Sequence, residues 1–142
     1  MALPPVHITK LKVYYYDTDA GGVVHNVAYL RLIEAARTDY AEVLGWTVKE
    51  MGDTGLVPVV SRTEIDYLKP ARLGDTVRIE SRLTKLEKIR FHLAFDVLRD
   101  ADGVKLAQCR QIMVSVNLAN GRPQAVPSAW TAAYPELIGE RE

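Results

Sequence analysis

Residues 15 to 37, YYDTDAGGVVHNVAYLRLIEAAR, hold most of the side chains in this sequence that could do chemistry. Two carboxylates, Asp17 and Asp19, precede a glycine pair, the step His25-Asn26 and a periodic helical pattern. A carboxylate can act as a general base or as a nucleophile. The first N–H groups of a helix lack partners within the helix, so they can stabilise negative charge on a carbonyl oxygen. The segment could therefore combine a base, an oxyanion site and room for a substrate.

Each of these residues also has an ordinary structural explanation. Aspartates before glycines are typical of turns, because their side chains accept hydrogen bonds from nearby backbone N–H groups, and both Asp17 and Asp19 fit that role. Asn26 is a predicted helix N-cap. His25 has no partner visible in the sequence and is interpreted as a residue packed beside the loop rather than as a general base. No metal site is predicted, since the loop offers too few oxygen ligands and the chain has no paired Cys/His spacing.

Three further residues are given structural roles. Glu34 and Arg37 lie three apart on the helical pattern, so a pair between them is predicted. Cys109 alternates with its neighbours in an apolar strand and is predicted to be a buried thiol. As the one cysteine of the chain it cannot form an intramolecular disulfide, which fits a reducing compartment. The glycine patterns of α/β-hydrolases, P-loops and dinucleotide-binding folds are all missing from the sequence.

The elements that position residues 15–37 are one long helix and several strands. A β-branched and aromatic run predicts a strand over residues 8–16. Apolar residues recur every three or four from Asn26 to about Leu44, which predicts a helix that ends at Gly45. The period then becomes two, and strands are predicted over 57–67, 77–84, 89–97 and 106–118. In the strand over 57–67, six side chains are predicted to lie on the same face: Val57, Val59, Ser61, Thr63, Ile65 and Tyr67.

The order of these elements predicts an α+β fold with an antiparallel sheet of about five strands and one long helix. The three later strands are expected to pair as consecutive hairpins. A short helix or turn is expected over 47–51, and the proline-containing tail after residue 118 is expected to be irregular or weakly helical. One helix leaves the far face and the edges of the sheet uncovered, so a dimer or larger assembly is expected.

Composition limits the class of protein. With 142 residues, 48% of them hydrophobic and 25% charged, the chain is expected to form a single domain over residues 1–142. Eighteen basic residues balance eighteen acidic ones, so neither nucleic acid nor an anionic membrane is an expected partner. The sequence has no run of membrane-spanning length, and residues 1–13 lack the apolar core of a signal peptide. A cytoplasmic location is therefore expected.

Residues 15–37 resemble the hotdog-fold acyl-CoA thioesterases of the YbgC-like and 4-hydroxybenzoyl-CoA thioesterase group. The matching positions are Tyr15, Asp17, Thr18, Asp19, Gly22, Val24, Tyr29, Glu34, Ala36 and Arg37. Residues 57–81, with Tyr-x-Lys-Pro-Ala followed by Leu-Gly-Asp, are also similar to that family, and the resemblance extends over residues 8–118. It implies a hotdog fold, in which an antiparallel sheet wraps around one long central helix and dimers form a continuous sheet.

The resemblance also implies an activity, the hydrolysis of acyl-CoA to free acid and CoA without a cofactor. Asp19 would be the nucleophile or the general base, and Tyr15 would either belong to the site or pack under the helix. The implied oxyanion and substrate-binding positions are Gly22, His25, Asn26 and Val27. Many YbgC-like members have Tyr-His where this chain has His25-Asn26. Because asparagine can orient a water or a carbonyl but cannot act as a base, the proton transfer is left to Asp19.

The sequence is compatible with other functions as well. A hotdog protein that binds acyl groups or acts as a scaffold, without useful turnover, is the main alternative. A dehydratase is disfavoured because its histidine loop and acidic helix residue have no counterpart here. The acyl group, the choice between CoA and acyl-carrier-protein thioesters, and the choice between homodimer and homotetramer are left undecided by the sequence.

Overall fold

The computed structural model describes residues 5–139, which form an antiparallel sheet packed on one long helix, α1 (Asn26–Val43). The six strands of the sheet are β1 (His7–Lys12), β2 (Leu56–Tyr67), β3 (Thr76–Leu86), β4 (Arg90–Arg99), β5 (Lys105–Asn117) and β6 (Arg122–Pro123). Two short helices, α2 (Val48–Thr54) and α3 (Ser128–Ala133), complete the fold. The strand order is β1-β3-β4-β5-β2, and β6 pairs with β5.

Helix α1 forms because its apolar residues recur on one face, which packs against the sheet. The buried residues of this face are Ala28, Tyr29, Leu32, Ile33, Ala36 and Tyr40. The helix ends one residue before the predicted limit, and Gly45 follows with a positive φ of +87°, as expected for a left-handed residue after a helix. The predicted central helix is therefore confirmed.

The sheet confirms the predicted hairpins, since β3, β4 and β5 are consecutive and antiparallel. The strand before α1 and the strand after α2 lie at opposite edges, with β1 beside β3 and β2 beside β5. Helix α1 thus connects one edge of the sheet to the other and covers the face between them. Helix α2 continues past the predicted limit to Thr54, and Gly55 follows it with a φ of +72°.

The predicted first strand, residues 8–16, is too long. Strand β1 ends at Lys12, and residues 15–17 form a single turn of 3-10 helix. The reason is a local hydrogen bond: the carboxylate of Asp17 accepts the backbone N–H of Tyr14 at 2.9 Å. This bond turns the chain where the β-branched and aromatic composition favours an extended run.

The predicted single-sided pattern of β2 is wrong, because one extra residue, Ser61, shifts the register against β5. Before the shift Val59 lies opposite Val114, and after it Thr63 lies opposite Gln111. Gln111 is buried on the side that faces α1, whereas Val114 lies on the other side of β5. A bulge of one residue exchanges the two faces of a strand. Thr63 therefore faces the helix and Val59 faces away from it.

The segment after β6 closes the end of the core at the C-terminus of α1. Trp130 on α3 is buried and donates its indole N–H to the carbonyl oxygen of Leu44 at 3.0 Å. Its ring lies 5.6 Å from that of Trp46 and 5.0 Å from that of Phe91, both in edge-to-face contacts. The tail expected to be irregular or weakly helical thus contains one ordered helix, far along α1 from the predicted site.

Candidate active site

Asp17 anchors the loop that precedes α1. Its carboxylate is 1% exposed, accepts the N–H of Tyr14 and pairs with the guanidinium of Arg31 on α1. Its carbonyl oxygen accepts the backbone N–H of His25 at 3.1 Å. A buried charge is tolerated when it is paired and hydrogen-bonded, as it is here. Asp17 thus connects the loop to the helix at two points, which supports its interpretation as a structural residue.

Asp19 lies in a tight hairpin between this anchor and the helix. Its backbone N–H donates to the carbonyl oxygen of Val23 at 2.9 Å, and its carbonyl oxygen accepts the N–H of Gly22 at 3.0 Å. Thr18 and Val24 form a bridge just outside the hairpin. Gly22 has a φ of +74°, a conformation that side chains rarely adopt, so a glycine suits this turn. The hairpin folds Asp19 back against the chain that enters α1.

The carboxylate of Asp19 is exposed, and one of its two oxygens is engaged locally. Oδ1 accepts the backbone N–H of Gly21 at 2.8 Å. Within residues 5–139, Oδ2 has no hydrogen-bond partner. The local bond fixes the direction of the side chain, as in other turns built on aspartate. The second oxygen is therefore free to accept a proton or to attack a carbon atom.

The segment that carries Leu-Gly-Asp forms hydrogen bonds with the hairpin. The N–H of Val24 donates to the carbonyl oxygen of Ala71 at 2.8 Å, and the N–H of Leu73 donates to that of Gly22 at 3.2 Å. The hydroxyl of Tyr29 on α1 accepts the N–H of Ala71 at 3.0 Å. Burial raises the pKa of Tyr29. The two motifs of the family resemblance, which are far apart in the sequence, are thus in direct contact.

The N-cap of α1 is His25, so the predicted N-cap, Asn26, is wrong by one residue. His25 has an extended backbone (φ −75°, ψ 156°), and its Nδ1 accepts the N–H of Ala28 at 3.1 Å. Asn26 is already the first helical residue. An imidazole nitrogen can replace the usual Ser, Thr, Asp or Asn cap because it also offers a lone pair to the N–H groups of the first turn.

This cap restricts what His25 can do. A lone pair that accepts the N–H of Ala28 is not available to accept a proton from a water. In the neutral ring the proton then resides on Nε2, which can only donate. The backbone N–H of His25 is also engaged, since it donates to the carbonyl oxygen of Asp17. Neither the basic nitrogen nor the amide of His25 is free, which agrees with the interpretation of His25 as a structural residue.

The next two amides of the helix remain open. In the part of the chain that the structure describes, the backbone N–H groups of Asn26 and Val27 have no hydrogen-bond acceptor. Asn26 is exposed and Val27 is 62% exposed, so a ligand can approach them. The positive end of the helix dipole lies at the same point. The geometry suits a developing negative charge on an oxygen atom.

Tyr15 is 83% exposed and lies in the 3-10 turn, so the alternative that it packs under the helix is wrong. The neighbouring rings of Tyr14 and Tyr16 stack at 5.7 Å, and the guanidinium of Arg31 lies 5.3 Å from the ring of Tyr16. Tyr15 points away from this stack into solvent. Its hydroxyl is open to a ligand, but its placement alone assigns it no role.

A cavity of about 310 Å³ lies between the start of α1 and the end of β2. Its walls include Asn26 and Tyr29 from the helix side and Tyr67 and Lys69 from the sheet side. The hydroxyl of Tyr67 donates to the carbonyl oxygen of Asn26 at 3.2 Å, which joins the two walls. A larger cavity, about 600 Å³, lies near the turn between β3 and β4 and contains none of the predicted site residues.

The remaining polar groups singled out in the sequence are a buried thiol and an ion pair on α1. Cys109 is buried, and burial raises the pKa of its thiol to about 11, so the thiol stays protonated at neutral pH. Glu34 lies 3.7 Å from Arg37, as predicted, with Glu34 exposed and Arg37 mostly buried. In the described chain no group of three or more His, Cys, Asp or Glu side chains could hold a metal ion. No helix within residues 5–139 is long and apolar enough to cross a membrane.

The structure brings Asp19, Gly22 and the N–H groups of Asn26 and Val27 into one short loop at the helix start. It also adds two residues that the sequence did not indicate. Arg31 occupies an exposed position of the helical pattern, and only the fold brings it to the buried carboxylate of Asp17. Tyr67 lies at the end of an edge strand, 41 residues from the helix start that it contacts.

Residues 13–134 match the model of the Thioesterase-like superfamily. The chain is 31% identical to the acyl-CoA thioesterase YbgC of Haemophilus influenzae over 89% of its own length and 93% of that protein. It is 28% identical to a 1,4-dihydroxy-2-naphthoyl-CoA hydrolase of Thermosynechococcus vestitus over 97% of both chains. Its fold is similar to that of a solved 1,4-dihydroxy-2-naphthoyl-CoA thioesterase, Slr0204 from Synechocystis, with a TM-score of 0.82 and 21% identity over 93% of this chain and 97% of the other.

The chain therefore belongs to the thioesterase-like superfamily. The predicted YbgC-like resemblance and the predicted hotdog fold are confirmed, as is the predicted class of enzyme, a thioester hydrolase. The relatives named here differ in the acyl group that their names specify.

Proposed function

We propose that this protein hydrolyses acyl-CoA thioesters to a free acid and CoA, with Asp19 as nucleophile or general base. One observation carries the proposal: a short hairpin, closed between Asp19 and Val23, joins a carboxylate that has a free oxygen to a helix start that has two open amides. The names of the relatives support CoA as the leaving group. The cavity between Asn26 and Tyr67 supports an acyl group bound beside the helix start.

In the proposed reaction the thioester carbonyl oxygen accepts the N–H groups of Asn26 and Val27. The carbonyl carbon is attacked either by Oδ2 of Asp19 or by a water whose proton Asp19 accepts, and the double-bond electrons move to the oxygen. The helix start stabilises that negative charge. Collapse of the intermediate breaks the C–S bond, and the CoA sulfur leaves as a thiolate. If Asp19 attacks directly, a water then hydrolyses the resulting anhydride.

A thiolate leaves without strong protonation, so the site needs no general acid of high strength. The side chain of Asn26 would orient the attacking water or the carbonyl. Gly22 permits the turn that presents Asp19, and Tyr15, an exposed side chain four residues before Asp19, would contact the CoA part of the substrate.

We also propose that the protein acts as a homodimer or homotetramer. Strand β2 lies at one edge of the sheet. It has 12 residues, and its exposed apolar side chains include Val59 and Val60. Long exposed edges are normally paired or covered, because their free N–H and C=O groups recruit another strand. Pairing of β2 with its copy would give a continuous sheet through a two-fold axis.

The role of Asp19 is tested by measuring release of free thiol from acyl-CoA. Asp19→Asn keeps the size of the side chain and its bond to Gly21 but removes the charge, so we expect turnover to fall by about 10²-fold or more while the thermal transition stays within a few degrees. Asp53→Asn, on the exposed surface of α2, is the matched control and should behave as the parent. Hydrolysis by Asp19→Asn at the parent rate would overturn the assignment.

The oxyanion amides are tested with proline at the first helical position. Asn26→Pro removes one N–H, and proline is tolerated there because its φ is already helical and His25 before it is extended. We expect turnover to fall by about 10²-fold beyond that of Asn26→Ala, which removes only the side chain. Val48→Pro, at the first position of α2 after an extended Thr47, is the control for stability. Equal turnover in Asn26→Pro and Asn26→Ala would exclude this amide.

A further inference from the structure

Strand β2 runs antiparallel to α1, with the end of β2 beside the start of the helix, and the strip between the two elements, from Tyr67 and Asn26 to Thr63 and Arg37, is called the groove. At one end the hydroxyl of Tyr67 donates to the carbonyl oxygen of Asn26 at 3.2 Å. Past the bulge of β2, its side chains Tyr67, Ile65 and Thr63 lie opposite Ala107, Cys109 and Gln111 of β5, on the side that faces α1. The groove therefore follows the helix from its N-terminus towards its middle.

The first part of this groove is apolar. Tyr67 and Leu30 are 48% and 40% exposed, and the ring of Tyr67 packs edge-to-face on Tyr29 at 5.2 Å. Ile65 is half-buried on the same side of β2, and Cys109, opposite it on β5, carries a neutral thiol. Exposed apolar side chains along one groove favour an apolar occupant, and a groove that begins at the helix start is placed to receive the acyl chain of a bound thioester.

The far end of the groove is polar. Arg37 donates to Oε1 of Gln111 at 2.7 Å, and Nε2 of Gln111 donates to the hydroxyl of Thr63 at 3.2 Å. This Arg37–Gln111–Thr63 chain crosses from α1 over β5 to the edge strand. Gln111 is 4% exposed, and the side chain of Arg37 is 18% exposed. Burial lowers the pKa of Arg37, with Glu34 and Cys109 acting in the opposite direction.

An apolar chain that met this group would have to remove its remaining water or break its hydrogen bonds. Either change is unfavourable, since a buried polar group without a partner is destabilising and a buried charge without one is more so. The Arg37–Gln111–Thr63 chain would thus stop a hydrocarbon chain even where space remains beyond it. The one described carboxylate near Arg37, that of Glu34, is 66% exposed and does not remove this effect.

The distance from the helix start to the Arg37–Gln111–Thr63 chain sets the length of the acyl chain that the groove can hold. Eleven residues of helix separate Asn26 from Arg37, which is about 16 Å at about 1.5 Å per residue. Four residues of strand separate Tyr67 from Thr63, which is about 13 Å at about 3.3 Å per residue. An extended chain advances about 1.1–1.2 Å per bond, so roughly twelve bonds fill the groove.

We propose that the Arg37–Gln111–Thr63 chain closes the acyl groove and limits the enzyme to medium-length or compact acyl groups. This inference rests on the proposed function. It assigns specificity to residues that lie away from the reacting atoms, so their replacement should change the preference for chain length more than the rate of the chemical step.

The test compares octanoyl-CoA, decanoyl-CoA and palmitoyl-CoA as substrates for the parent and for a triple variant, Arg37→Met/Gln111→Leu/Thr63→Val. The triple variant replaces the whole polar chain by apolar groups of similar size, so no partner is left unsatisfied. Arg37→Met alone is a second variant, and Arg110→Met, on the opposite face of β5 and 75% exposed, is the matched control. Binding of the corresponding non-hydrolysable thioethers is measured in parallel by calorimetry.

We expect the parent and Arg110→Met to have kcat/KM values for palmitoyl-CoA about tenfold or more below those for decanoyl-CoA. In the triple variant the ratio of kcat/KM for decanoyl-CoA to kcat/KM for palmitoyl-CoA should fall by about tenfold, towards one. The fall should come mainly from a lower KM for palmitoyl-CoA, with the turnover of octanoyl-CoA little changed. A folded triple variant with the parent ratio would overturn the inference, and so would a parent that cleaves palmitoyl-CoA as well as decanoyl-CoA.

The thioether measurements separate this inference from the proposed function. If no variant releases thiol but the triple variant binds the palmitoyl thioether more tightly relative to the decanoyl one than the parent does, the groove assignment holds and the catalytic proposal fails. Light scattering on the same proteins measures their oligomeric state, which tests whether a second copy of the chain fills the groove. A change of oligomeric state in the triple variant, without a change in the ratio, would mean that another protomer fills the groove and would overturn the inference.

Discussion

The carboxylate of Asp17 and the guanidinium of Arg31 form an ion pair in which the acidic partner is 1% exposed and the basic partner 49% exposed. The pair connects the turn before the Asp19 hairpin to the second turn of α1. The carbonyl oxygen of Asp17 adds a second connection, to the N–H of His25. The position of Asp19, two residues later, thus depends on a contact that takes no part in the proposed chemistry.

A double-mutant cycle on this pair should give a large coupling. Arg31→Met leaves the buried Asp17 carboxylate with only the N–H of Tyr14, so we expect the free energy of unfolding to fall by about 1–3 kcal/mol. Asp17→Asn combined with Arg31→Met should recover part of that loss. Urea denaturation measures the free energy of unfolding of the parent, the two single variants and the double variant. The exposed pair Lys49–Asp53 on α2 is the control, with a coupling of about 0.5 kcal/mol or less. Equal couplings in the two cycles would contradict the structural role of Asp17.

The turn of the hairpin should not tolerate a side chain at Gly22. A Cβ at this position would meet no atom within 4 Å, but its φ is +74°, so the cost of Gly22→Ala is conformational. We expect a loss of about 1–2 kcal/mol in the free energy of unfolding and a larger relative loss of turnover, because Asp19 is displaced. Thermal and urea unfolding, with a thiol-release assay, measure both effects.

Gly52→Ala is the matched control for Gly22→Ala. Gly52 lies inside α2 without a positive φ, and a Cβ there would also meet no atom within 4 Å. Alanine should stabilise this helix by up to about 1 kcal/mol. If Gly22→Ala were as stable and as active as Gly52→Ala, the left-handed turn would not matter for the site.

Acid should weaken the contact between β1 and α1. The hydroxyl of Thr9 donates to the carboxylate of Asp39 at 2.6 Å and, with the nearby ring of His7, holds the pKa of Asp39 below its ordinary value of 3.8. A carboxyl group with a depressed pKa in the folded state contributes stability above its unfolded pKa and loses it as the pH falls through the folded value. Below about pH 4 the parent should therefore lose stability.

The variant Thr9→Val removes the largest cause of this pKa shift. Its urea midpoint should fall less than that of the parent between about pH 5 and about pH 3, although it starts from a lower value. Thr131→Val, which removes an exposed hydroxyl bonded only within α3, should keep the slope of the parent. Identical slopes for Thr9→Val and the parent would show that Asp39 does not carry this part of the acid sensitivity.

Cys109 should be unreactive in the native protein. Its thiol is 2% exposed and has a pKa of about 11, against an ordinary value of 9.0, so its thiolate fraction at neutral pH is reduced by about 100-fold. Alkylation by iodoacetamide, followed by mass spectrometry, should be slow in buffer and fast in concentrated urea. Cys109→Ala should retain turnover of octanoyl-CoA. Rapid labelling of the folded protein, or loss of turnover in Cys109→Ala, would contradict this placement.

The sequence by itself determined the elements and the family. A period near 3.6 identified α1 to within one residue, and a period of two identified the strands, because burial of one face imposes both patterns. The spacing of Asp19, Gly22 and the helix start was also readable, since these residues are local in the chain and their hydrogen bonds lie within the hairpin.

Only the tertiary structure decided how distant residues act on that segment. Local propensity favours an extended chain through Tyr16, but the carboxylate of Asp17, stabilised by Arg31, turns it. The bulge at Ser61 directs Thr63 towards α1, and no pattern of hydrophobicity marks that reversal. The Arg37–Gln111–Thr63 chain joins residues up to 74 positions apart. Hydrogen bonds and ion pairs of this kind depend on the positions that the sheet gives its strands, so they follow from packing and not from local sequence.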